Sequence, residues 1–376
     1  MNIVADDKIP FLKGVLEPVA EVVYLPGGKI GPGDVRDADA LITRTRTHCN
    51  AGLLDGSRVK FIASATIGFD HIDQDYCRRH QIAWTNAAGC NAASVSQWVA
   101  SALATLARRF QFQLKGRTLG IVGVGNVGRK VDRLAQALGM RVLRNDPPRM
   151  RSEGEAGFAS LDEVLLEADV ITLHTPLIQQ GPDRTFHLVD ESFVTRLKSG
   201  AILLNSSRGE VVDSSALSEA LRSGRLQGAV LDVWEQEPEI DLALLELVTL
   251  ATPHIAGYSA DGKANGTAMS VQAISRFFGL GLDDWYPPSV PPPERPVLRV
   301  DGRGKTDEQV LVEAILATYE IEKDDRRLRR SVRTFEEQRG QYPLRREFPA
   351  YQIQLSAGSE TVRRSLKNLA FHLLPD

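Results

Sequence analysis

Cysteine is scarce in this 376-residue chain: there are three, an odd number. Cys49, Cys77 and Cys90 cannot all pair, and their spacing is not that of a zinc site. That excludes a disulfide scaffold and gives no metal ligand set, so reduced thiols in a cytoplasmic protein are expected. Long apolar runs are also missing; none approaches the roughly 18 residues of a membrane span. The opening M-N-I-V-A-D-D reads as a strand without a basic or apolar leader, so no signal peptide is expected. Neither sign of charge dominates: 45 Lys and Arg stand against 48 Asp and Glu, a net charge of −3. This balance gives no electrostatic case for a nucleic acid or an acidic membrane as partner. There is no internal repeat of roughly 20–50 residues, which excludes a solenoid or propeller.

What is present is length for more than one core and a steady alternation of strand and helix patterns. Short apolar runs bounded by polar turns predict buried parallel strands at Asn2–Ala5, Ala40–Thr43 and Phe61–Ser64. Further strands are predicted at Leu119–Val124, Val142–Arg144, Val170–Leu173, Ala201–Asn205, Gly228–Asp232 and Val248–Ala251. Helices are expected between them, with long ones near 92–110 and 266–278. The alternation predicts an α/β protein with doubly wound parallel sheets.

Residues 287–296, P-P-S-V-P-P-P-E-R-P, read as a semi-rigid extended linker and a domain boundary. Beyond it lies a small tail of mixed α and β character. Strands are predicted at V-L-R-V-D and Y-Q-I-Q-L, and helices at Asp307–Tyr319 and Thr361–Leu374. The basic run D-D-R-R-L-R-R-S-V-R is interleaved with acids and reads as a solvated helix face rather than an anion-binding patch. A tail too small for a robust core of its own is expected to pack on another subunit.

Gly123, Gly125 and Gly128 form G-V-G-N-V-G between a predicted strand and a predicted helix. Asp146 ends the next strand about twenty residues on, as a dinucleotide fingerprint requires. The first glycine permits the turn, the second admits a pyrophosphate, and the third lets helix and strand pack closely. Asp146 would accept hydrogen bonds from the ribose hydroxyls and repel a 2′-phosphate, which favours NAD over NADP, although Arg144 and Arg149 flank it.

Three later strand ends carry Arg208, then Asp232 with Glu237 just beyond, then His254. In an open parallel sheet, ligands bind at this carboxyl edge. Arginine grips a carboxylate bidentately. Histidine moves protons near neutral pH, and an adjacent carboxylate fixes its tautomer. Arg208, Glu237 and His254 therefore read as a hydride-transfer set acting on a 2-hydroxy acid. Glu235, two residues before Glu237, is a rival partner for the histidine.

N-S-S-R-G-E-V-V-D, D-V-W-E-Q-E-P and T-P-H-I-A-G, with the glycine loop at the matching place, resemble the signatures of the D-isomer-specific 2-hydroxyacid dehydrogenases. Gln236 stands where that pattern leads one to expect glycine. The resemblance favours Glu237 as the partner of His254. It implies cofactor contacts at Asn126, Val127, Asp146, Thr175, Asp232 and Gly257, with Asp232 on the nicotinamide amide. It implies substrate contacts at Thr45, Thr66 and Tyr258. It also implies two Rossmann-like lobes that close over the substrate. Residues 1–93 and 267–286 would form the substrate lobe, 94–266 the NAD lobe, and 287–376 a dimerisation domain joining a homodimer. The substrate implied is a small phosphorylated hydroxy acid. Arg44 and Arg46 flank Thr45 at a predicted strand end, and read either as donors to its phosphate or as surface charges. The rivals to this reading are another family member, such as a phosphoglycerate dehydrogenase, and an NAD(H)-sensing binding protein of the same fold.

Overall fold

Strands β1 (Asn2–Asp6), β2 (Glu21–Leu25), β3 (Ala40–Thr43), β4 (Phe61–Ser64) and β5 (Ala83–Asn86) form a parallel sheet in the order β2-β1-β3-β4-β5. The computed structural model to which they belong describes residues 1–375. β3 and β4 are buried throughout, as their apolar sequences demand of strands covered on both faces. The helix Ala260–Phe278 belongs to the same unit. Ser259 caps it, accepting from the Gly262 amide at 2.8 Å, and Gly279 ends it in the left-handed conformation. A Cβ on Gly266 would lie 2.6 Å from the Ala65 carbonyl oxygen, so glycine lets the helix close on the end of β4. The unit comprises Met1–Asn91 and Ser259–Pro291.

The second unit comprises Ala92–Tyr258 and Pro292–Asp376. Its large sheet is built from β6 (Thr118–Val122), β7 (Arg141–Asn145), β8 (Val170–Leu173), β9 (Ala201–Asn205), β10 (Leu226–Leu231) and β11 (Leu250–Ala251), all parallel. The order β11-β10-β9-β8-β6-β7 reverses direction between β6 and β8. That reversal is the topological switch point, where such sheets open a crevice for a ligand. The divisions fall at residues 91/92, 258/259 and 291/292, where the sequence led to 93/94, 266/267 and 286/287, and the tail groups with the second unit instead of standing apart. Each long helix goes whole with one unit, Ala92–Arg109 with the second and Ala260–Phe278 with the first.

The tail carries its own parallel sheet of β12 (Val297–Asp301), β13 (Gln352–Ser356) and β14 (His372–Leu373). Its core is not left for another subunit to complete. Leu298, Ile315, Tyr319 and Ile353 join one buried cluster with Trp98, Leu119, Leu134 and Leu204 of the larger sheet's domain. Polar residues buried on the helix Ala92–Arg109 are matched to the tail: Ser94 donates to Glu347 at 2.7 Å and Ser101 to the Tyr319 carbonyl at 2.8 Å. The predicted terminal helix stops at Asn368, and Ala370, at φ +68°, turns the chain into β14. The basic run forms the helix Ile321–Arg330, but it is more than a solvated face. Asp324 and Asp325 are buried in it, and Asp325 accepts the Ala251 amide of β11 at 2.8 Å. Among the described residues no helix is long and apolar enough to cross a membrane.

Candidate active site

The glycine loop leaves β6 and turns into the helix Asn126–Ala137. Gly123 sits at φ +90°, and a Cβ there would meet the His174 carbonyl oxygen at 2.6 Å. A Cβ on Gly128 would lie 2.1 Å from the Gly123 oxygen. Gly125 faces open space within 4 Å, so the first and third glycines serve the fold and the second leaves room for a ligand. Asn126 and Val127 present the first turn of the helix, whose N–H groups suit a phosphate. The Asp146 carboxylate closes the loop, accepting from the Val124 amide at 2.8 Å and the Arg149 amide at 3.1 Å. Both flanking arginines are engaged elsewhere, Arg144 with Asp132 at 2.9 Å and Arg149 with Glu153 at 2.6 Å.

Two hydroxyls past neighbouring strands are buried without partners: Thr175 Oγ1 after β8 and Ser206 Oγ after β9. Buried hydroxyls are nearly always hydrogen-bonded. Their position beside the switch point fits a bound dinucleotide. Thr175 is expected there from the family resemblance; Ser206, inside N-S-S-R-G, is not singled out by any pattern.

Arg208 follows β9 in a loop held by the Asn205 side-chain amide, which donates to the Arg208 carbonyl at 2.9 Å. Its own Nη1 donates to the Ser207 carbonyl at 2.8 Å, and the side chain is half-buried. At Gly209 a Cβ would lie 1.9 Å from the Trp234 carbonyl oxygen, so glycine lets this loop rest on the one after β10.

That second loop carries both candidate carboxylates, and the geometry separates them. Glu237 Oε2 lies 2.7 Å from His254 Nδ1, and Glu237 Oε1 accepts the Trp234 amide at 2.9 Å. Glu235 faces elsewhere, 2.7 Å from His187 Nε2 and accepting the Ser214 amide at 3.0 Å. Gln236 between them has φ +60°, the left-handed conformation in which glycine is at home.

His254 itself has φ +53°, a conformation that costs a residue with a Cβ roughly 1–2 kcal/mol. Its side chain is one-third exposed, and with Nδ1 on Glu237 the Nε2 edge is the one that can act on a substrate. Asp232 underpins the loop, with 1% of its surface exposed. Its carboxylate accepts from Thr252 Oγ1 at 2.5 Å, the Ile255 amide at 2.8 Å and the Ala256 amide at 2.9 Å. Burial pushes the Asp232 carboxyl up, against the opposing pull of His254 and these donors. Most of its capacity goes to the loop, so its first task here is to hold the loop, whatever it also offers a nicotinamide. Trp98 donates to Thr252 Oγ1 at 3.0 Å and Trp234 to the Thr252 carbonyl at 3.1 Å, completing the support. Gly257 and Tyr258 finish the turn, and the Tyr258 ring meets that of Tyr342 edge-on at 5.9 Å.

In the first unit, Arg44, Thr45 and Arg46 follow β3, and Thr66 follows the adjacent β4, so all four share one carboxyl edge. Arg44 is half-buried, while Thr45 and Arg46 are exposed. Thr66 Oγ1 pairs with Ser64 Oγ at 2.9 Å. Among the described residues no group of three or more His, Cys, Asp or Glu is placed to hold a metal ion.

The model of the D-isomer specific 2-hydroxyacid dehydrogenase NAD binding domain matches residues 87–256. A domain of unknown function, DUF3410, matches residues 292–369. Erythronate-4-phosphate dehydrogenase of Bacteroides fragilis is 50% identical over 357 residues, covering 95% of this chain and 100% of the relative. The enzyme of the same name from Cronobacter sakazakii is 40% identical over 375 residues, covering 99% and 98%. Among solved structures, D-lactate dehydrogenase from Aquifex aeolicus, complexed with NAD and lactic acid, is similar with a TM-score of 0.58 at 26% identity. That match covers 74% of this chain and 96% of the other.

Proposed function

The chain belongs to the D-isomer-specific 2-hydroxyacid dehydrogenases, and from that premise we propose that it oxidises 4-phospho-D-erythronate at C2 with NAD. The product is (R)-3-hydroxy-2-oxo-4-phosphooxybutanoate, a step of pyridoxal 5′-phosphate biosynthesis. The observation that carries the reading is the 2.7 Å pair of Glu237 and His254 at the carboxyl edge of the NAD-binding sheet. Its support in sequence is the near-full-length match, tail included, to relatives named erythronate-4-phosphate dehydrogenase.

Glu237 holds the proton on Nδ1 and leaves Nε2 of His254 as the base. Nε2 takes the proton of the C2 hydroxyl as the hydrogen on C2 departs with its electron pair, leaving a carbonyl. NAD, when bound, supplies the acceptor for that hydride. It would be held by Gly123, Gly125, Asn126, Val127 and Gly128 at the pyrophosphate and Asp146 at the ribose, with Thr175, Ser206, Asp232 and Gly257 along its length. Arg208 grips the substrate carboxylate and stabilises charge developing on the C2 oxygen. Thr45, Thr66 and Tyr258 are assigned to the substrate, and its phosphate to Arg44 and Arg46. The unit Met1–Asn91 with Ser259–Pro291 serves as the substrate lobe, Ala92–Tyr258 as the NAD lobe, and the tail from Pro292 as the dimerisation domain of a cytoplasmic homodimer. The burial of all three cysteines agrees with unreactive thiols in a reducing compartment.

The test is NADH absorbance with 4-phosphoerythronate and, separately, 3-phosphoglycerate. Faster turnover of the first is expected; the reverse preference reassigns the substrate. His254→Ala should cut turnover by about 10²–10⁴-fold while NADH still binds. A wild-type rate in that variant removes the mechanism.

A further inference from the structure

One buried guanidinium of the tail reaches the backbone of the catalytic loop. Arg345 is 5% exposed, and its Nη2 donates to the carbonyls of both Ile255, at 3.3 Å, and Ala256. These are the residues whose N–H groups rest on Asp232. The peptide unit joining Ile255 to Ala256 is thus gripped at both ends, its N–H by a carboxylate past β10 and its C=O by an arginine from the tail. Immediately before it stands His254, at φ +53°. Such a conformation persists only where the surroundings over-determine it.

The seat of Arg345 is built for a cation. Its guanidinium carbon lies 4.6 Å from the Tyr319 ring centroid and 5.8 Å from that of Tyr342. The hydroxyls of both rings donate to Asp324 Oδ2, at 2.9 and 2.7 Å. Burial works against the charge of Arg345, but Tyr342, Tyr319, Asp324 and Asp232 outweigh it and raise its pKa. The Tyr342 ring also meets Tyr258, so the same seat touches the far end of the loop.

A buried guanidinium is a poor way to glue two surfaces together. Its Nε and Nη1 are buried without acceptors, a standing cost that an apolar side chain of similar size avoids. What only the guanidinium supplies is donation to the two loop carbonyls.

We propose that Arg345 is a positioning residue for His254, so that the tail sets the geometry of the catalytic loop. This rests on His254 being the acid/base. Arg329 provides the comparison. It too comes from the tail, is only partly exposed and donates to carbonyls of the sheet domain, those of Leu245 at 2.6 Å and Val248 at 2.9 Å. Those carbonyls lie ahead of β11, not in the loop of His254.

The experiment compares full-length Arg345→Met, Arg345→Lys, Arg329→Met and His254→Ala, with kcat expressed per NADH-binding site found by titration. Arg345→Met should lose about 100-fold in kcat, the scale of a misplacement of about 1 Å, with NADH affinity and KM for NAD held within about twofold. Arg345→Lys, which keeps a donor, should recover about tenfold of that loss. Arg329→Met should lower the melting temperature yet keep kcat within about twofold. If Arg345→Met does not fold, Arg345→Lys decides: about tenfold lower kcat at unchanged NADH affinity supports the proposal, and a parental kcat overturns it. Equal losses of kcat in Arg345→Met and Arg329→Met also overturn it, because the arginine then only anchors the tail. His254→Ala separates the two readings. If it is inactive while Arg345→Met is fully active, the positioning role alone fails; if it is active, the acid/base assignment fails and takes this inference with it.

Discussion

Glu237 and His254 are joined side chain to side chain at 2.7 Å, while Glu235, two residues earlier, is turned to His187. Left-handed Gln236 lies between the two carboxylates, which point to different histidines.

This division predicts unequal effects of the same substitution. Glu237→Gln removes the charge that supports an imidazolium and lets the ring take either tautomer, so kcat should fall by about 10²–10³-fold. Glu235→Gln should leave kcat within about threefold and cost on the order of 1 kcal/mol of stability, through the His187 and Ser214 hydrogen bonds. Steady-state kinetics and urea melts on the pair check this. Similar kcat losses would mean that Glu237 has no special tie to the chemistry.

The glycines predict a second contrast. In Gly209→Ala the new methyl would stand 1.9 Å from the Trp234 backbone oxygen, which cannot swing aside, so a loss of about 3 kcal/mol or more is expected, or no soluble protein. In Gly125→Ala the methyl meets no protein atom within 4 Å, so the melting temperature should fall far less than in Gly209→Ala. The NAD proposed for this loop would bring its pyrophosphate into that space. Affinity for NADH should therefore drop about tenfold or more, from a clash of roughly 1–3 kcal/mol. Fluorescence titration and thermal melts together read both effects.

Asp169 predicts a pH dependence of stability. It joins β8 to β6, with Lys198 Nζ at 2.7 Å, the Thr118 amide at 2.9 Å and Arg117 at 3.4 Å. Burial alone raises its pKa, but the Lys198 and Thr118 hydrogen bonds and the charges of Lys198 and Arg117 bring it below the ordinary value. A carboxyl held lower in the folded state stabilises above its unfolded pKa of about 3.9, and that contribution is lost as pH falls through the folded value. Asp169→Asn should cost on the order of 1 kcal/mol at pH 7. The gap to the parent should shrink below about pH 4. Urea melts at pH 7 and pH 3 measure it, and a gap that widens in acid contradicts the assignment.

The central strands were legible because β3, β4, β8 and β9 are short apolar runs buried on both faces, a pattern that does not depend on neighbours. β2 and β5 escape such a reading because they are the edges of their sheet and only partly buried, so their apolar signal is diluted. His254, Arg208 and Asp146 stand out because their residue types sit at strand ends. Arg345 does not, since nothing in P-L-R-R-E-F distinguishes it from Arg346. Its meaning comes from Ile255 and Ala256, some ninety residues away in sequence. The same holds for Asp324 and Asp325: a charge pattern marks a helix face, but which acids are buried depends on the surface that face meets.

The last prediction concerns the phosphate. Arg44 and Arg46 bracket Thr45 at the carboxyl end of β3, and Arg44 is the less exposed of the two. Arg44 donates to the Lys8 carbonyl only at 3.5 Å, a weak contact that leaves its guanidinium available to an anion. Two charge-assisted contacts to a phosphate are worth on the order of 1.5–3 kcal/mol each. The double variant Arg44→Ala, Arg46→Ala should therefore raise KM for 4-phosphoerythronate by about 10²-fold or more, while KM for an unphosphorylated 2-hydroxy acid changes by no more than about threefold. A uniform rise for both acids would mean that the arginines shape the lobe generally, and the phosphate would then have to be sought on other donors.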